Sequence, residues 1–148
     1  MKLRALLAMA AIILPTMMFA IQKKTPVFVC GISTSFNDST VYFTEIQLMD
    51  SAYTDKKTGF LYSRDNYAYQ LREHMKKNGV AHPTCAIIFD KKRKGIEKKY
   101  TSLKKRYATK GRYDVKYVSD FEFTPIIPDE SEMKAAPRQK KEKKSKNK

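Results

Sequence analysis

Two segments in the first third of the chain are rich in β-branched and aromatic residues. They cover residues 26–36 and 40–49, and the polar residues 37–39 between them have the composition of a turn. The pattern predicts an antiparallel hairpin. Alternation of polar and apolar positions in the second segment predicts a core face formed by Tyr42, Thr44, Ile46 and Leu48.

A second hairpin and a helix are predicted in the middle of the chain. The hairpin covers residues 52–62, because its polar turn ends in Gly59, a residue that readily adopts a positive φ. The helix is expected to begin after Ser63 as N-cap and to end at Gly79. At 100° per residue, its apolar side carries Tyr67, Ala68, Leu71, His74 and Met75.

The pattern then predicts a strand, a helix and a strand. The apolar run 85–89 is typical of a strand that is covered on both faces. Asp90 is expected to cap a second helix over residues 91–109, which ends at Gly111. Residues 113–118 alternate as a last strand, and the pattern continues weakly to Phe123. The apolar stripe of the second helix carries Ile96, Tyr100, Leu103 and Tyr107.

The order of the main predicted elements is β-β-α-β-α-β. A helical crossover joins strands that run in the same direction, so the second, third and fourth strands are expected to be parallel, with the first antiparallel to the second. The predicted fold belongs to the α/β (α+β) class. It is a two-layer sandwich, in which two helices pack on a four-stranded mixed sheet, and the strand order is left open.

The first twenty residues resemble a leader. A short basic start precedes the apolar run 5–19, which is shorter than the ~20 residues of a membrane-spanning helix and typical of a Sec-type signal peptide. Cleavage is expected after Ala20, with Gln22 as a second site and an uncleaved anchor as the alternative. We therefore predict a signal peptide over residues 1–20, a single domain over 21–132, no transmembrane span after cleavage, and a periplasmic or secreted bacterial location.

Composition fits one folded domain with a basic tail. The 148 residues are 42% hydrophobic and 11% aromatic, too apolar for wholesale disorder, and the net charge is +15. Residues 133–148 hold eight Lys and Arg residues against Glu142 and no aromatic residue, which predicts a disordered tail. Two cysteines exclude a disulfide framework, and no His/Cys spacing fits zinc, so neither a metal site nor a cofactor is predicted.

The strongest anomaly is the basic segment 91–116, where twelve Lys and Arg residues oppose only Glu97 and Asp114. Four bases are expected in the first helical turn, where the helix dipole disfavours cations. One interpretation is an anion site at the carboxyl end of a strand, where ligands of open α/β sheets bind. The alternative is a solvated helix face. The candidate anion-binding residues are Lys91, Lys92, Arg93, Lys94 and Lys98.

Other reactive residues give weaker signals. Cys30 and Cys85 would form a disulfide outside the cytoplasm only if their strands bring the Cα atoms within about 7 Å, and two buried free thiols are the alternative. No catalytic motif accompanies His74 or His82, so no catalytic residue is assigned. Arg64 lies on the apolar side of the first helix, so it is expected either to pair with another group or to lie beyond the edge of the core.

Two segments, residues 36–44 (FNDSTVYFT) and 64–72 (RDNYAYQLR), resemble small exported proteins of Bacteroidota-type bacteria that have no assigned activity. The resemblance covers about residues 27–124. It implies an extracytoplasmic setting and carries no catalytic residue over.

Three functional hypotheses follow from these patterns. The first is an exported, noncatalytic binding module whose basic helix and tail contact an anionic envelope lipid or polysaccharide, or a protein. The second is a small hydrolase or transferase for a phosphorylated or acidic substrate, which requires His74 or His82 beside residues 91–94. The third, nonspecific nucleic-acid binding, requires that the chain is not exported, and no specific nucleic-acid partner is predicted.

Overall fold

The computed structural model describes residues 21–133, and everything below refers to that part of the chain. Seven strands and three helices follow one another in the order β-β-β-β-β-α-β-α-β-α. The strands are β1 (Gln22–Lys24), β2 (Val27–Ser35), β3 (Thr40–Thr44), β4 (Gln47–Met49), β5 (Tyr53–Asp55), β6 (Pro83–Asp90) and β7 (Asp114–Val118). The helices are α1 (Arg64–Lys77), α2 (Arg93–Thr109) and the short α3 (Glu130–Met133).

The main sheet is built around β2. β6 pairs with one edge of β2, and β3 and β4 pair with its other edge, all antiparallel. β7 then adds to β3 in parallel. The spatial order is therefore β6, β2, β3 with β4, β7, with β6 and β7 at the two edges. β3, β6 and β7 run in one direction and β2 in the other, as the crossover argument predicts.

A bulge separates β3 from β4. Ile32 pairs with Phe43 and Val29 with Gln47, so two residues of β2 face three residues of the partner. The extra residue moves the side chains that follow it to the opposite face of the sheet. The predicted core face is correct for Thr44, which is buried, and wrong for Leu48, which is 53% exposed. Val41 and Phe43 of the opposite face are fully buried, so both faces of β3 belong to the core.

The two helices cover opposite faces of this sheet. Gly31 faces Leu71 of α1, whereas its neighbour Ile32 belongs to a cluster with Tyr100 and Leu103 of α2. Adjacent strand residues point to opposite faces, so the sheet lies between the helices. The predicted class, the mixed sheet and the order of the main elements are confirmed, and the sheet has the four predicted strands when β3 and β4 are counted as one strand with a bulge. The expected two layers are corrected to three, because β2 is apolar on both faces and needs a cover on each.

α1 packs closely on its face of the sheet. A Cβ added to Gly31 would lie 2.4 Å from Cδ2 of Leu71, so the absence of a side chain on β2 allows the helix to approach. Tyr67, Leu71 and Met75 are buried there, as predicted. The helix ends as expected, since the Val80 and Gly79 amides donate to carbonyls of the last turn.

α2 packs mainly through aromatic side chains. Phe43 of β3 makes edge-on contacts with Tyr100 and Tyr107, at centroid distances of 5.5 and 6.1 Å. The predicted stripe of α2 is therefore correct. Its start is not: the helix begins at Arg93, because the Asp90 carboxylate accepts the Lys92 amide and holds residues 91–92 outside the helix.

Residues 119–129, named here the C-terminal strap, cross the α1 face. The Gln47 side chain bonds the carbonyl of Phe121 and the amide of Phe123, at 2.7 and 2.9 Å. Gln70 bonds both backbone groups of Thr124 in the same way. The strap takes the place of the weak strand continuation that was expected after residue 118.

A two-stranded sheet of β1 and β5 lies beside this domain. The predicted second hairpin is present, since the amides of Asp55 and Tyr62 bond the carbonyls of Phe60 and Tyr53. Gly59 has a φ of 75° at its turn. None of the helices in residues 21–133 is long and apolar enough to cross a bilayer. The predicted signal peptide and residues 134–148 of the predicted tail lie outside the described residues.

Candidate anion-binding site

An open cleft of about 650 Å³ lies where β6 ends. One wall is the end of β6 with the residues that lead into α2, and the other is the turn 58–60 of the second hairpin. Apolar contacts come from Phe60, Ile88 and Phe89. The charged lining residues are Arg64, Asp90, Lys91, Lys92 and Lys99, which leaves four bases against one acid.

Asp90 fixes the backbone on the α2 side of the cleft. Its Oδ1 accepts the Lys92 amide at 2.9 Å, and its Oδ2 lies 2.9 Å from Nζ of Lys99. These hydrogen bonds, the amide first, hold the pKa of Asp90 below its usual value. Gly95 makes this arrangement possible, since a Cβ there would lie 2.4 Å from the Asp90 carboxyl group.

Asp55 fixes the opposite wall. Its carboxylate, on a residue that is only 8% exposed, accepts the amides of Lys57 and Thr58 and the Thr58 hydroxyl. The bonds from Thr58 lower the pKa of Asp55 most. A carboxylate that accepts amides in this way closes a tight turn, so Asp55 positions residues 58–60 along the cleft.

Arg64 and Lys99 cover the outer edge of β6. The Arg64 guanidinium donates through Nε and a terminal nitrogen to the carbonyl of Ile87, and its Cζ lies 5.8 Å from the Phe89 ring centroid. Lys99 Nζ donates to the carbonyl of Phe89 at 3.0 Å. Of the two alternatives for Arg64, the structure shows a partner, and this partner is a backbone carbonyl rather than a charged group.

The structure separates the five predicted anion-binding residues. Lys91 and Lys92 line the cleft, and neither has an ion-pair partner among the described residues. Arg93 pairs instead with Glu97 at 2.8 Å. Lys94 and Lys98 are exposed outside the cleft lining. Because the helix starts two residues late, the predicted cluster is divided between the cleft and the outer helix face.

Sequence reasoning missed two basic residues of the cleft, Arg64 and Lys99. Lys99 was one base among twelve in its segment, and no local pattern distinguished it from Lys98. Arg64 was noticed only as an arginine on an apolar side. Its place in the cleft depends on the packing of α1 beside β6, which brings residues 23 positions apart into contact.

The basic segment 91–116 keeps most of its charge unpaired. Arg93, Lys99 and Lys116 have acidic partners at 2.8, 2.9 and 3.8 Å. The other nine bases have no ion-pair partner within residues 21–133. They are Lys91, Lys92, Lys94, Lys98, Lys104, Lys105, Arg106, Lys110 and Arg112.

Neither histidine lines the cleft. His74 lies in the second half of α1, where its Nε2 contacts Asp120 at 3.3 Å and Asn78 at 2.9 Å. His82 directly precedes β6, at the end of the strand opposite to the cleft. The cleft therefore offers cations and apolar contacts, but no histidine to transfer a proton.

The two cysteines are free thiols, and the possible disulfide is corrected. Cys30 pairs in register with Ile88, whereas Cys85 pairs with Ser33, so the cysteines are three positions apart, about 10 Å along the strands. Their side chains also point to opposite faces. Burial raises the pKa of Cys30 to about 12 and also raises that of Cys85, which makes both poor nucleophiles.

The described residues contain no group of His, Cys, Asp and Glu side chains that would hold a metal ion. Comparisons with known protein families, with curated proteins and with solved structures find no match. The resemblance to exported Bacteroidota-type proteins therefore stays a prediction.

Proposed function

We propose that this chain is an exported, noncatalytic binding module. Its basic helix α2 and its lysine-rich C-terminal residues contact an anionic envelope component, a lipid or a polysaccharide, or a protein. The observation that supports this most is the set of nine unpaired bases in segment 91–116. A solvated helix of ordinary composition would carry acids at neighbouring turns, and α2 has only Glu97.

The outer face of α2 is suited to a broad anionic surface. Lys94 and Lys98 project away from the sheet, since they lie opposite the buried stripe that begins at Ile96. Each lysine near an anionic lipid surface contributes about 1 kcal/mol, and the attraction is screened over about 10 Å at 0.1 M salt. The face therefore binds by charge and loses its affinity as salt is added.

The cleft adds a second, local contact. The amines of Lys91 and Lys92 are unpaired within the described residues, and Phe60 is 66% exposed beside them. An anionic group that carries an apolar body fits this combination, because the charge meets the amines while the body contacts the ring.

The test measures retention of the full mature chain on vesicles containing anionic lipid and on an anionic polysaccharide. Replacing Lys94 and Lys98 by Gln is expected to weaken vesicle binding about 30-fold, since about 2 kcal/mol is removed. The matched control replaces Lys76 and Lys77 on α1 by Gln, which changes the net charge equally and is expected to have a smaller effect. Deleting residues 133–148 is expected to abolish retention.

Two results would contradict the proposal. One is binding that persists unchanged at high salt, because charge would then not be its source. The other is an equal loss in the α1 control, because net charge alone would then account for the binding and α2 would have no special part.

The hydrolase or transferase alternative loses the feature it depends on. It required a histidine beside residues 91–94 to act as general acid or base, and neither His74 nor His82 lines the cleft. Nucleic-acid binding depends on the chain staying in the cytoplasm. Mass spectrometry of the mature N-terminus tests that condition, since an intact Met1 would remove the export argument.

A further inference from the structure

The two edges of the main sheet differ. At β6, the carbonyls of Ile87 and Phe89 are occupied by Arg64 and Lys99, and the strand begins with Pro83, which has no amide hydrogen to offer. At β7, no backbone or side-chain hydrogen bond from the described residues reaches the outer edge. Open strand edges are ready to pair with another strand, and proteins usually cover them.

The groups exposed at the β7 edge can be assigned. The Asp114 amide donates to the Ser39 carbonyl at 2.9 Å, so Asp114 is bonded toward β3. Hydrogen bonding alternates along a strand in a parallel ladder, and Asp114, Lys116 and Val118 therefore face β3. The amides and carbonyls of Val115 and Tyr117 point outward and are available to a partner.

A groove runs beside this edge, between β7 and α2. Its volume is about 310 Å³, and Val115, Ala108 and Tyr117 form its apolar part. Tyr117 is 57% exposed, and Nζ of Lys104 lies 4.8 Å from its ring centroid. A second hollow of about 340 Å³ continues past the start of the strand, where it is lined by Lys110, Arg112 and Tyr113.

The charge around the β7 edge indicates what kind of segment can bind there. Lys104, Lys105, Lys110 and Arg112 are unpaired within residues 21–133, and Asp114 is the one acid of β7. A second copy of this chain would bring the same bases against them. The chain's own residues 134–148 are also basic. Like charges in contact are unfavourable, so both are poor occupants and an acidic one is favoured.

We propose that the β7 edge binds an extended acidic peptide segment of a partner protein, which adds to the sheet as a strand. Its backbone pairs with Val115 and Tyr117, and every second side chain, an acidic one, lies on the α2 face of the sheet beside Lys104 and Lys105. The side chains between the acids lie on the opposite face of the sheet. This inference rests on the proposed function and specifies the partner for one part of the basic surface.

The experiment uses the full mature chain and a labelled peptide of about eight residues in which Glu and Val alternate. The control peptide has the same sequence with N-methyl groups on alternate amides, which keeps its charge and removes its ability to pair as a strand. Binding is followed by fluorescence anisotropy at about 0.15 M salt, and amide exchange is followed by NMR. We expect the N-methylated peptide to bind about 10-fold more weakly or worse, and the Val115 and Tyr117 amides to become protected by the unmodified peptide.

Two charge-reversed variants locate the contact. Lys104→Glu with Lys105→Glu is expected to weaken peptide binding about 10-fold or more, because like charges then face the acids. Lys94→Glu with Lys98→Glu carries the same charge change on the same helix, outside the groove, and is expected to weaken binding less than about 3-fold. Both pairs are exposed or partly exposed, so the fold is retained.

Equal binding of the two peptides would overturn strand addition, and so would equal losses in the two variants. Vesicle retention of the unmodified chain is measured beside these assays. If retention persists while the peptides bind alike, strand addition is wrong and the proposed function stands. If retention is absent as well, the proposed function fails with it.

Discussion

The two helices cover opposite faces of one sheet with different chemistry. α1 buries Tyr67, Leu71 and Met75 in a cluster that also takes in the C-terminal strap. α2 buries only Ile96 completely, and its cluster has three buried members from the sheet. α1 carries four Lys and Arg residues against two acids, whereas α2 carries seven against Glu97.

The comparison indicates that the α1 side and the α2 side of the sheet contribute differently to stability. Close packing on the α1 side provides most of the buried apolar area, which is the main stabilising contribution in a small domain. The α2 side is held by partly exposed rings, and lysine stems cover their rims, as Lys104 does over Tyr100 at 5.3 Å. Its outer bases are therefore available for binding without a large effect on stability.

The largest effect on stability is expected from shortening one leucine on each helix that covers the sheet. Leu71→Ala leaves a cavity around a residue that is 1% exposed, and we expect a loss of about 2–5 kcal/mol in unfolding free energy. Leu103→Ala is expected to cost about 1–2 kcal/mol, because Leu103 is only half-buried. Urea denaturation measures both. Equal losses would show that packing on the α1 side and packing on the α2 side contribute alike to stability.

The second effect concerns the close approach of α1. Gly31→Ala places a Cβ against the Leu71 side chain, which is buried and has little room to move, so a loss of about 1–3 kcal/mol is expected. The same change made together with Leu71→Ala is expected to cost less than the sum of the two, because the smaller side chain makes space. Strict additivity would mean that contact with Leu71 is not the cause.

Acid is expected to destabilise the fold through three carboxylates that accept backbone amides. Hydrogen bonds lower the pKa values of Asp38, Asp55 and Asp90 in the folded protein. Their contribution is present above the unfolded value of about 3.9, and it is lost as the pH falls through the folded values. Thermal unfolding from pH 7 to pH 2 measures the loss. Asp55→Ala is expected to make stability fall less steeply with pH, and an unchanged pH dependence in this variant would contradict the prediction.

The smallest change in stability is expected at the cleft. In Gly95→Ala the new methyl group displaces the Asp90 carboxylate, while alanine favours the helix by about 1 kcal/mol, so the two effects nearly cancel. The pKa of Asp90 is then expected to rise toward its usual value, which carbon-13 NMR of its carboxyl group measures. Thr101→Ala on the same helix is the control, and an equal response there would exclude the contact.

The fold was predictable where local pattern decides it. The hairpin, both helix stripes and the strand directions followed from periodicity and turn residues. The three layers did not follow, because apolar positions on both faces of β2 become informative only when each helix is assigned a face. The bulge at residues 45–46 also escaped prediction, since no residue type marks it and its effect appears in the register with β2.

The cleft was only partly predictable. Lys91 and Lys92 were found because they follow a strand, and the carboxyl end of a strand is a recognised place for ligands. Arg64, Asp55 and the turn 58–60 come from segments more than 25 residues earlier, and only tertiary packing brings them to the same place. The open edge of β7 depends on strand order, which the pattern left undetermined.

The strap ties the last described part of the chain to one face of the sheet. Its Ile126 amide donates to the Tyr67 hydroxyl at 2.9 Å, on the α1 side. The other face is covered by α2, which carries seven Lys and Arg residues against Glu97. The strap and the basic helix therefore lie on opposite sides of the sheet, so a substitution in the strap can alter the packing around α1 without contacting α2.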